Sequence, residues 1–272
     1  MKNIYMIDLL KKQHDIDVSM YNESFMNRTI MQSVKKAGCH TFEEYINILA
    51  ESKNGVRNFV GSLQISHSEF FRNPLTFAVL ERIILPEIIF GKRNKKSREI
   101  RIWSAACAGG QETYSIAMLL EGLNNGKEKT EYRIFGTDQD EAQIIKARMG
   151  EFDTASIGNV TNKLVKHWFI RHGNKYAVLP ELKKNIEFSV FDLFSEQYSS
   201  PPESIFGGFD IILCANLLFY YKTEFRRIII EKIRGSLAEN GYVITGEAER
   251  DILMNFKFKE IYPHSCVFRV FK

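Results

Sequence analysis

Residues 100–120 read IRIW-SAACAGG-QETYSIAMLL, a short strand-like run, seven small residues and then an apolar segment of helical length. A strand turning sharply into a helix is the opening unit of an α/β sheet, and in open sheets of this kind ligands bind beyond the carboxyl ends of the strands. The small side chains of 104–110 let a ligand approach the backbone. Gly110 can take the positive φ that so tight a turn demands.

Strand-like runs continue downstream: YRIFGTD (132–138), IEFSVFDL (186–193), FDIILC (209–214) and YVITGE (242–247). Helical stretches at 113–123, 140–148 and 224–237 alternate with them, which predicts right-handed crossovers and a mainly parallel sheet covered on both faces. The expected architecture is doubly wound α/β. Upstream the pattern is different. Phe25, Met26, Ile30, Met31 and Val34, then Phe42, Tyr45, Ile46 and Leu49, recur at helical spacing. Thr41 followed by Glu44 reads as a capping box opening the second helix after a stop at Gly38. This divides the chain into a helical domain (1–65), a connector (66–82) carrying SEFFRNP, and an α/β domain (83–272). A further helix is expected over about 75–90, and the basic run GKRNKKSR (91–98) reads as a solvated loop.

Composition narrows the function classes. Lys and Arg number 37 against 33 Asp and Glu, a net charge of +4 over 272 residues, too small to argue for nucleic acid or a membrane surface. Cys39, Cys107, Cys214 and Cys266 are scattered without a CxxC pair or a Cys/His cluster, which argues against a zinc site or a disulfide framework and fits a reducing cytoplasm. The start of the chain is too interrupted by charge for a signal peptide. The most apolar stretch, 79–90, carries Glu81, Arg82, Pro86 and Glu87, so no membrane insertion is expected.

The turn also limits the cofactor. A pyrophosphate would call for GxGxxG and no acid beside the helix N-terminus, which already attracts anions. Here the triple glycine is absent and Glu112 stands at that end. A carboxylate there suits a ligand presenting an ammonium group and hydroxyls, as S-adenosylmethionine does. A second reading has Glu112 simply complementing the helix dipole. Asp138, closing the second strand, is placed to accept hydrogen bonds from ribose hydroxyls. Its other reading is an N-cap for the next helix, to which Asp140 has at least an equal claim.

Six blocks in order resemble the CheR family of chemotaxis protein-glutamate O-methyltransferases, over about residue 24 to the C-terminus. SEFFRNP (68–74) resembles the family's TxFFRD, WSAACAGGQETYSIAM (103–118) its WSAACSTGEEPYSIAM, and FGTDQD (135–140) its TDID. FDLF (191–194), FDIILCANLLFYY (209–221) and LAENGYVITGEAE (237–249) resemble NLL, FDxIxCRNVLIYF and LxPGGxLxxGxSE. The resemblance implies a Rossmann-like, class I methyltransferase sheet with a small β-subdomain inserted at about 169–188, preceded by the all-helical N-terminal domain. It also implies transfer of a methyl group from S-adenosyl-L-methionine to receptor glutamates, leaving S-adenosyl-L-homocysteine.

Carried over by position, the resemblance makes Arg72 and Tyr220 the expected catalytic residues. Ser66, Ser68, Arg72, Glu112, Asp138, Asp192, Leu193, Ala215 and Asn216 are the expected cofactor contacts, with Asp192 and Leu193 by the adenine and Ala215 and Asn216 under the methionine portion. Read alone, Arg72 would suit a surface salt bridge and Tyr220 core packing. Ala215 stands where the family usually has arginine, so only its backbone can substitute there. Ser66 replaces a common asparagine, Gly109, Gly110 and Gln111 replace TGE, and Thr113 replaces proline.

The partner implied is the cytoplasmic region of chemoreceptors. Arg28, Lys35 and Lys36 fall near one face of the first amphipathic helix, where the family meets the receptor's acidic coiled coil; as sequence alone they also read as a solvated face. The RHGNKYAV turn of the β-subdomain is short, so no tether to a receptor's C-terminal pentapeptide is expected. Two alternatives remain: a methyltransferase acting on another protein or small molecule, and a cofactor-sensing module with little turnover.

Overall fold

Four helices open the chain: α1 (Lys2–His14), α2 (Glu23–Lys36), α3 (Phe42–Glu51) and α4 (Lys53–Leu63). The computed structural model describes residues 2–63, 68–92, 99–124, 130–204 and 207–270. Of the residues that the spacing selects, Met26 and Ile30 in α2 and Phe42, Tyr45, Ile46 and Leu49 in α3 are buried, Phe25 and Val34 are half-buried, and Met31 is exposed; α1 buries Met6, Leu9 and Leu10, and α4 buries Val56, Phe59 and Leu63. Thr41 and Glu44 form the expected capping box at α3, and Gly38 takes a φ of +72° where α2 has ended. Segment Phe219–Arg227 groups with these helices, and the rest of the chain, Ser66–Leu218 and Ile228–Lys272, forms a second unit.

In the second unit, α5 (Pro74–Val79) and α6 (Leu85–Lys92) are joined through a π-helical turn over Leu80–Ile84. The cause is Pro86. Proline lacks an N–H and clashes with the carbonyl four residues back, and a widened turn just before it relieves that clash without ending the helix. The predicted single helix therefore runs on, with a bulge.

The main sheet is built from β1 (Ile100–Ala105), β2 (Tyr132–Asp138), β6 (Ile186–Val190), β7 (Phe209–Leu213), β8 (Leu237–Ile244), β9 (Phe258–Glu260) and β10 (Val267–Val270). Its order is β6-β2-β1-β7-β8-β10-β9, with β10 antiparallel to both neighbours and the other pairings parallel. Helices α7 (Gln111–Leu123), α8 (Glu141–Met149) and α11 (Thr223–Ser236) make the crossovers, and α12 (Arg250–Asn255) leads into β9. Strands buried on both faces need near-continuous apolar runs, and β1 shows this with Ile100, Ile102 and Trp103 fully buried. From β1 the chain moves outward to β2 and β6, then returns to β7 on the other side. That reversal makes the carboxyl ends of β1 and β7 the topological switch point, the place where open α/β sheets bind ligands.

A second sheet, β3-β5-β4, is antiparallel and formed by β3 (Glu151–Asp153), β4 (Phe169–His172) and β5 (Lys175–Val178); α9 (Asn162–Trp168) precedes β4 and α10 (Pro180–Lys183) follows β5. This small sheet draws its first strand from residues ahead of the expected 169–188 stretch, while Ile186 and Phe188 belong to the main sheet. The β4–β5 hairpin closes with only Gly173 and Asn174 between the paired His172 and Lys175, and Gly173 has a φ of +60°. Two-residue hairpins need that left-handed backbone to match strand twist.

Candidate active site

The turn after β1 is folded by its own amides. Cys107 N–H donates to the Thr137 carbonyl at 2.8 Å, Ala108 N–H to the Asp138 carboxylate at 2.9 Å, and Gly110 N–H to the Cys107 carbonyl at 3.0 Å. Ala106, Ala108 and Gly110 have φ values of +64°, +47° and +88°. Left-handed backbone is unfavourable for alanine, and the bonds to the end of β2 hold it there. At Gly110 a Cβ would stand 3.0 Å from Ala147 Cβ and 3.2 Å from Phe188 Cζ, so the φ and the packing both require glycine.

Asp138 is therefore part of the turn's scaffold. One carboxylate oxygen accepts from Ala108 and the other from Asp140 N–H at 3.0 Å. The capping of α8 belongs to Asp140, which accepts from Ala142 N–H at 2.9 Å. Asp138 is only 8% exposed, and burial above all raises its pKa. Each carboxylate oxygen has a second lone pair, so this duty leaves room for a ligand.

Glu112 occupies the first turn of α7 and accepts from Ser104 Oγ at 2.9 Å. Burial pushes its pKa up to about 7; the Ser104 hydrogen bond opposes that, Glu249 reinforces it and the Arg72 charge opposes it. The connector fixes the backbone around Arg72 on both sides. Phe71 N–H donates to Ser115 Oγ at 3.0 Å, and Asn73 caps α5 by accepting from Thr76 N–H. Just before it, Phe70 is fully buried and packs edge-on against Phe152 and Phe169 of the small sheet. Arg72 itself is exposed.

The sequence-predicted residues thus gather at the carboxyl ends of neighbouring strands: Glu112 after β1, Asp138 at the end of β2, Asp192 and Leu193 after β6, Ala215 and Asn216 after β7. Phe191 N–H donates to the Asp138 carbonyl at 2.9 Å, tying the β6 end to the β2 end. Leu193 is buried and Asp192 exposed, its carboxylate accepting from Phe194 N–H. Ser68 lies in the connector two residues before Phe70, and Ser66 lies outside the described residues. Tyr220 belongs to the helical unit, where its ring meets Phe25 edge-on at 4.7 Å.

One residue was not singled out from the sequence. Glu249 is fully buried, and its carboxylate accepts from Asn216 N–H at 2.7 Å, Thr245 Oγ1 at 2.8 Å, Gly246 N–H at 3.0 Å and also Leu218 N–H. Asn216 has a φ of +61°, and a Cβ on Gly246 would stand 2.6 Å from its side-chain nitrogen. One acid therefore shapes the turns after both β7 and β8. A signal was available: Glu249 stands three residues after Gly246 at a helix start, the spacing of a capping pair. Among the described residues, no group of three His, Cys, Asp or Glu side chains could hold a metal ion, and no helix is long and apolar enough to cross a membrane.

The family model described as CheR methyltransferase, SAM binding domain, matches residues 66–263. A "Chemotaxis protein methyltransferase" of Listeria innocua is 30% identical over 247 residues, covering 91% of this chain and 89% of that protein. "Chemotaxis protein methyltransferase 1" of Pseudomonas aeruginosa is 29% identical, covering 88% and 86%, and a "Chemotaxis protein methyltransferase" of Escherichia coli is 26% identical, covering 89% and 81%.

The residues present fit S-adenosylmethionine. Glu112 is a deeply set carboxyl with a pKa near neutrality, and a cation brought beside it returns it to the charged form. The amides of Cys107, Ala108 and Gly110 are already bonded within the turn and are not offered to an anion. With its doubly wound sheet, the reversal of strand order between β1 and β7 and a family match spanning most of its length, the chain belongs to the CheR methyltransferase family and uses S-adenosylmethionine as its cofactor.

Proposed function

We propose that the protein methylates glutamate side chains in the cytoplasmic region of chemoreceptors, forming glutamyl methyl esters. The observation that carries this reading is the arc of Glu112, Asp138 and Asn216 at the switch point, with the Arg72 charge reaching Glu112, in a chain whose relatives are named chemotaxis protein methyltransferases. When bound, S-adenosylmethionine supplies a sulfonium methyl: the acceptor oxygen forms the new C–O bond, the C–S bond breaks with its electron pair on sulfur, and S-adenosyl-L-homocysteine leaves.

A glutamate is ionised at neutral pH, so no residue of this chain has to take a proton from it. The work left to the protein is alignment and exclusion of water. Arg72 orients the acceptor carboxylate and reaches the cofactor, and Tyr220 places its hydroxyl near the methyl. Glu112 receives the ammonium, Asp138 the ribose hydroxyls, Asp192 and Leu193 the adenine, and Ala215 and Asn216 the methionine portion, while Ser66 and Ser68 complete the connector side.

For docking, α2 carries Arg28, Met31 and Lys35 on the face opposite buried Met26, Ile30 and Ser33, with Lys36 on its flank. Met31 is 73% exposed between two cations, a surface suited to an acidic helix with apolar positions. This docking and a cytoplasmic location are part of the proposal. Incubation with methyl-labelled S-adenosylmethionine and receptor cytoplasmic fragments tests it: base-labile label on glutamates is the expected result. Label elsewhere would indicate another acceptor, and S-adenosylhomocysteine binding without transfer would indicate a sensing module.

A further inference from the structure

Within the helical unit, Asn22 has two separate jobs. Its side-chain oxygen accepts from Phe25 N–H at 2.9 Å and caps α2, the helix bearing Arg28, Met31 and Lys35. Its side-chain nitrogen donates to the Phe219 carbonyl, and its backbone N–H donates to the Tyr220 carbonyl at 2.9 Å. Around it, Lys222 N–H donates to the Met20 carbonyl at 2.9 Å, and Tyr21 stacks on Tyr221 with ring centroids 5.3 Å apart at 17°. Tyr21 and Tyr221 also form an isolated antiparallel bridge.

The backbone of Tyr220 is thus fastened to the residue that begins α2. We infer that Asn22 is a positioning residue for methyl transfer, linking the proposed docking helix to the placement of Tyr220. The inference rests on the reading of Tyr220 given above. Chemistry explains why asparagine suits the place: the site asks one side chain to accept from an amide and donate to a carbonyl at once. Aspartate caps a helix equally well. Its second oxygen, however, would face the Phe219 carbonyl and repel it, so Asn22→Asp separates anchoring from capping.

The test compares N22D, Y221L and Y220F in the full chain. Turnover is expressed per S-adenosylhomocysteine-binding site, so that only folded molecules are counted. N22D is expected to keep wild-type S-adenosylhomocysteine affinity and receptor-fragment KM, while kcat falls by about tenfold or more, the scale of a displaced reacting group. Y221L, which removes the stacking partner of Tyr21, is expected to lower kcat in the same way. Wild-type kcat in both N22D and Y221L overturns the inference, as does a loss of cofactor affinity and kcat in parallel. Y220F keeps the two readings apart: wild-type turnover there removes Tyr220 from the chemistry, whereas a defective Y220F beside unaffected N22D and Y221L refutes the role of Asn22 alone.

Discussion

The backbone N–H of Asn216 donates to the buried carboxylate of Glu249 at 2.7 Å, so the left-handed turn after β7 is held by an acid thirty-three residues further along the chain. In Glu249→Gln, the remaining oxygen can still accept from Asn216 N–H, Thr245 Oγ1 and Gly246 N–H, and the new amide group then faces Leu218 N–H donor to donor. A lost hydrogen bond to a buried charged group costs about 2 kcal/mol. For a domain of this size that lowers Tm by roughly 4–8 °C in a thermal scan. Weaker S-adenosylhomocysteine binding in calorimetry is expected alongside it, and unchanged affinity would show that the Asn216 turn does not depend on Glu249.

Glu112 sets a pH dependence with a definite sign. Its carboxyl titrates near pH 7 in the free protein and must be charged to meet an ammonium group. Cofactor affinity is therefore expected to fall as pH drops from 8 to 6, by up to about tenfold per unit below the pKa. Glu112→Gln should weaken binding at pH 8 and flatten the profile. The unliganded protein should respond in the opposite way. A raised carboxyl pKa contributes stability that is present at low pH and lost as pH rises from the ordinary carboxylate range through about 7. E112Q should then have a higher Tm than the wild type at pH 8 without cofactor, which differential scanning fluorimetry reads directly.

Arg72 is exposed on a connector whose neighbours carry the packing. Arg72→Ala is expected to leave the fold intact, which an unchanged circular-dichroism spectrum checks. Methyl transfer should fall by about 100-fold or more, the usual consequence of losing a group that stabilises or aligns reacting charge. Arg72→Lys should restore only a fraction, since an ammonium cannot reproduce the planar two-pronged contact of a guanidinium. Near-wild-type turnover in R72A would place Arg72 outside the chemistry.

The β4–β5 hairpin turns in two residues, Gly173 and Asn174. No measurable affinity for an NWETF-type receptor pentapeptide is expected, and a dissociation constant in the micromolar range by fluorescence polarisation would contradict this.

Much of the α/β unit was legible because its signals are local. The 100–120 stretch announces itself through small residues between a strand and a helix, and β2, β7 and the second half of β8 are runs of mostly buried residues that tertiary context had no reason to override, while β6, at the sheet edge, buries only Phe188 and Ser189. Other elements were not legible. In α1 the apolar stripe is narrow, Met6, Leu9 and Leu10 among charges, and most of its surface is solvated. Strands β3, β9 and β10 have three or four residues each, too few for periodicity to register, and exist because a partner strand pairs with them. The π-turn before Pro86 left no mark beyond the proline.

The site divides similarly. Glu112 and Asp138 could be found by asking what stands at the carboxyl ends of strands. That Asp138 folds the turn and Asp140 caps the helix is settled only by the fold, since both acids suit both roles in sequence. Glu249 and Asn22 act on backbone groups 31–33 and 197 residues away respectively, and such pairings leave no local pattern to read.

The internal bonding of the turn after β1 also bears on how this protein can diverge. Changing Glu112 to a small neutral residue would remove the charge that repels phosphate, yet would not create a dinucleotide site. The amides that such a site presents to a pyrophosphate are here spent on Thr137, Asp138 and Cys107. A new cofactor class would require the loop to be rebuilt together with the end of β2, since the two are bonded to each other. Variation that keeps the turn intact is therefore free to accumulate on the acceptor side, and change of methyl acceptor is the more accessible evolutionary step.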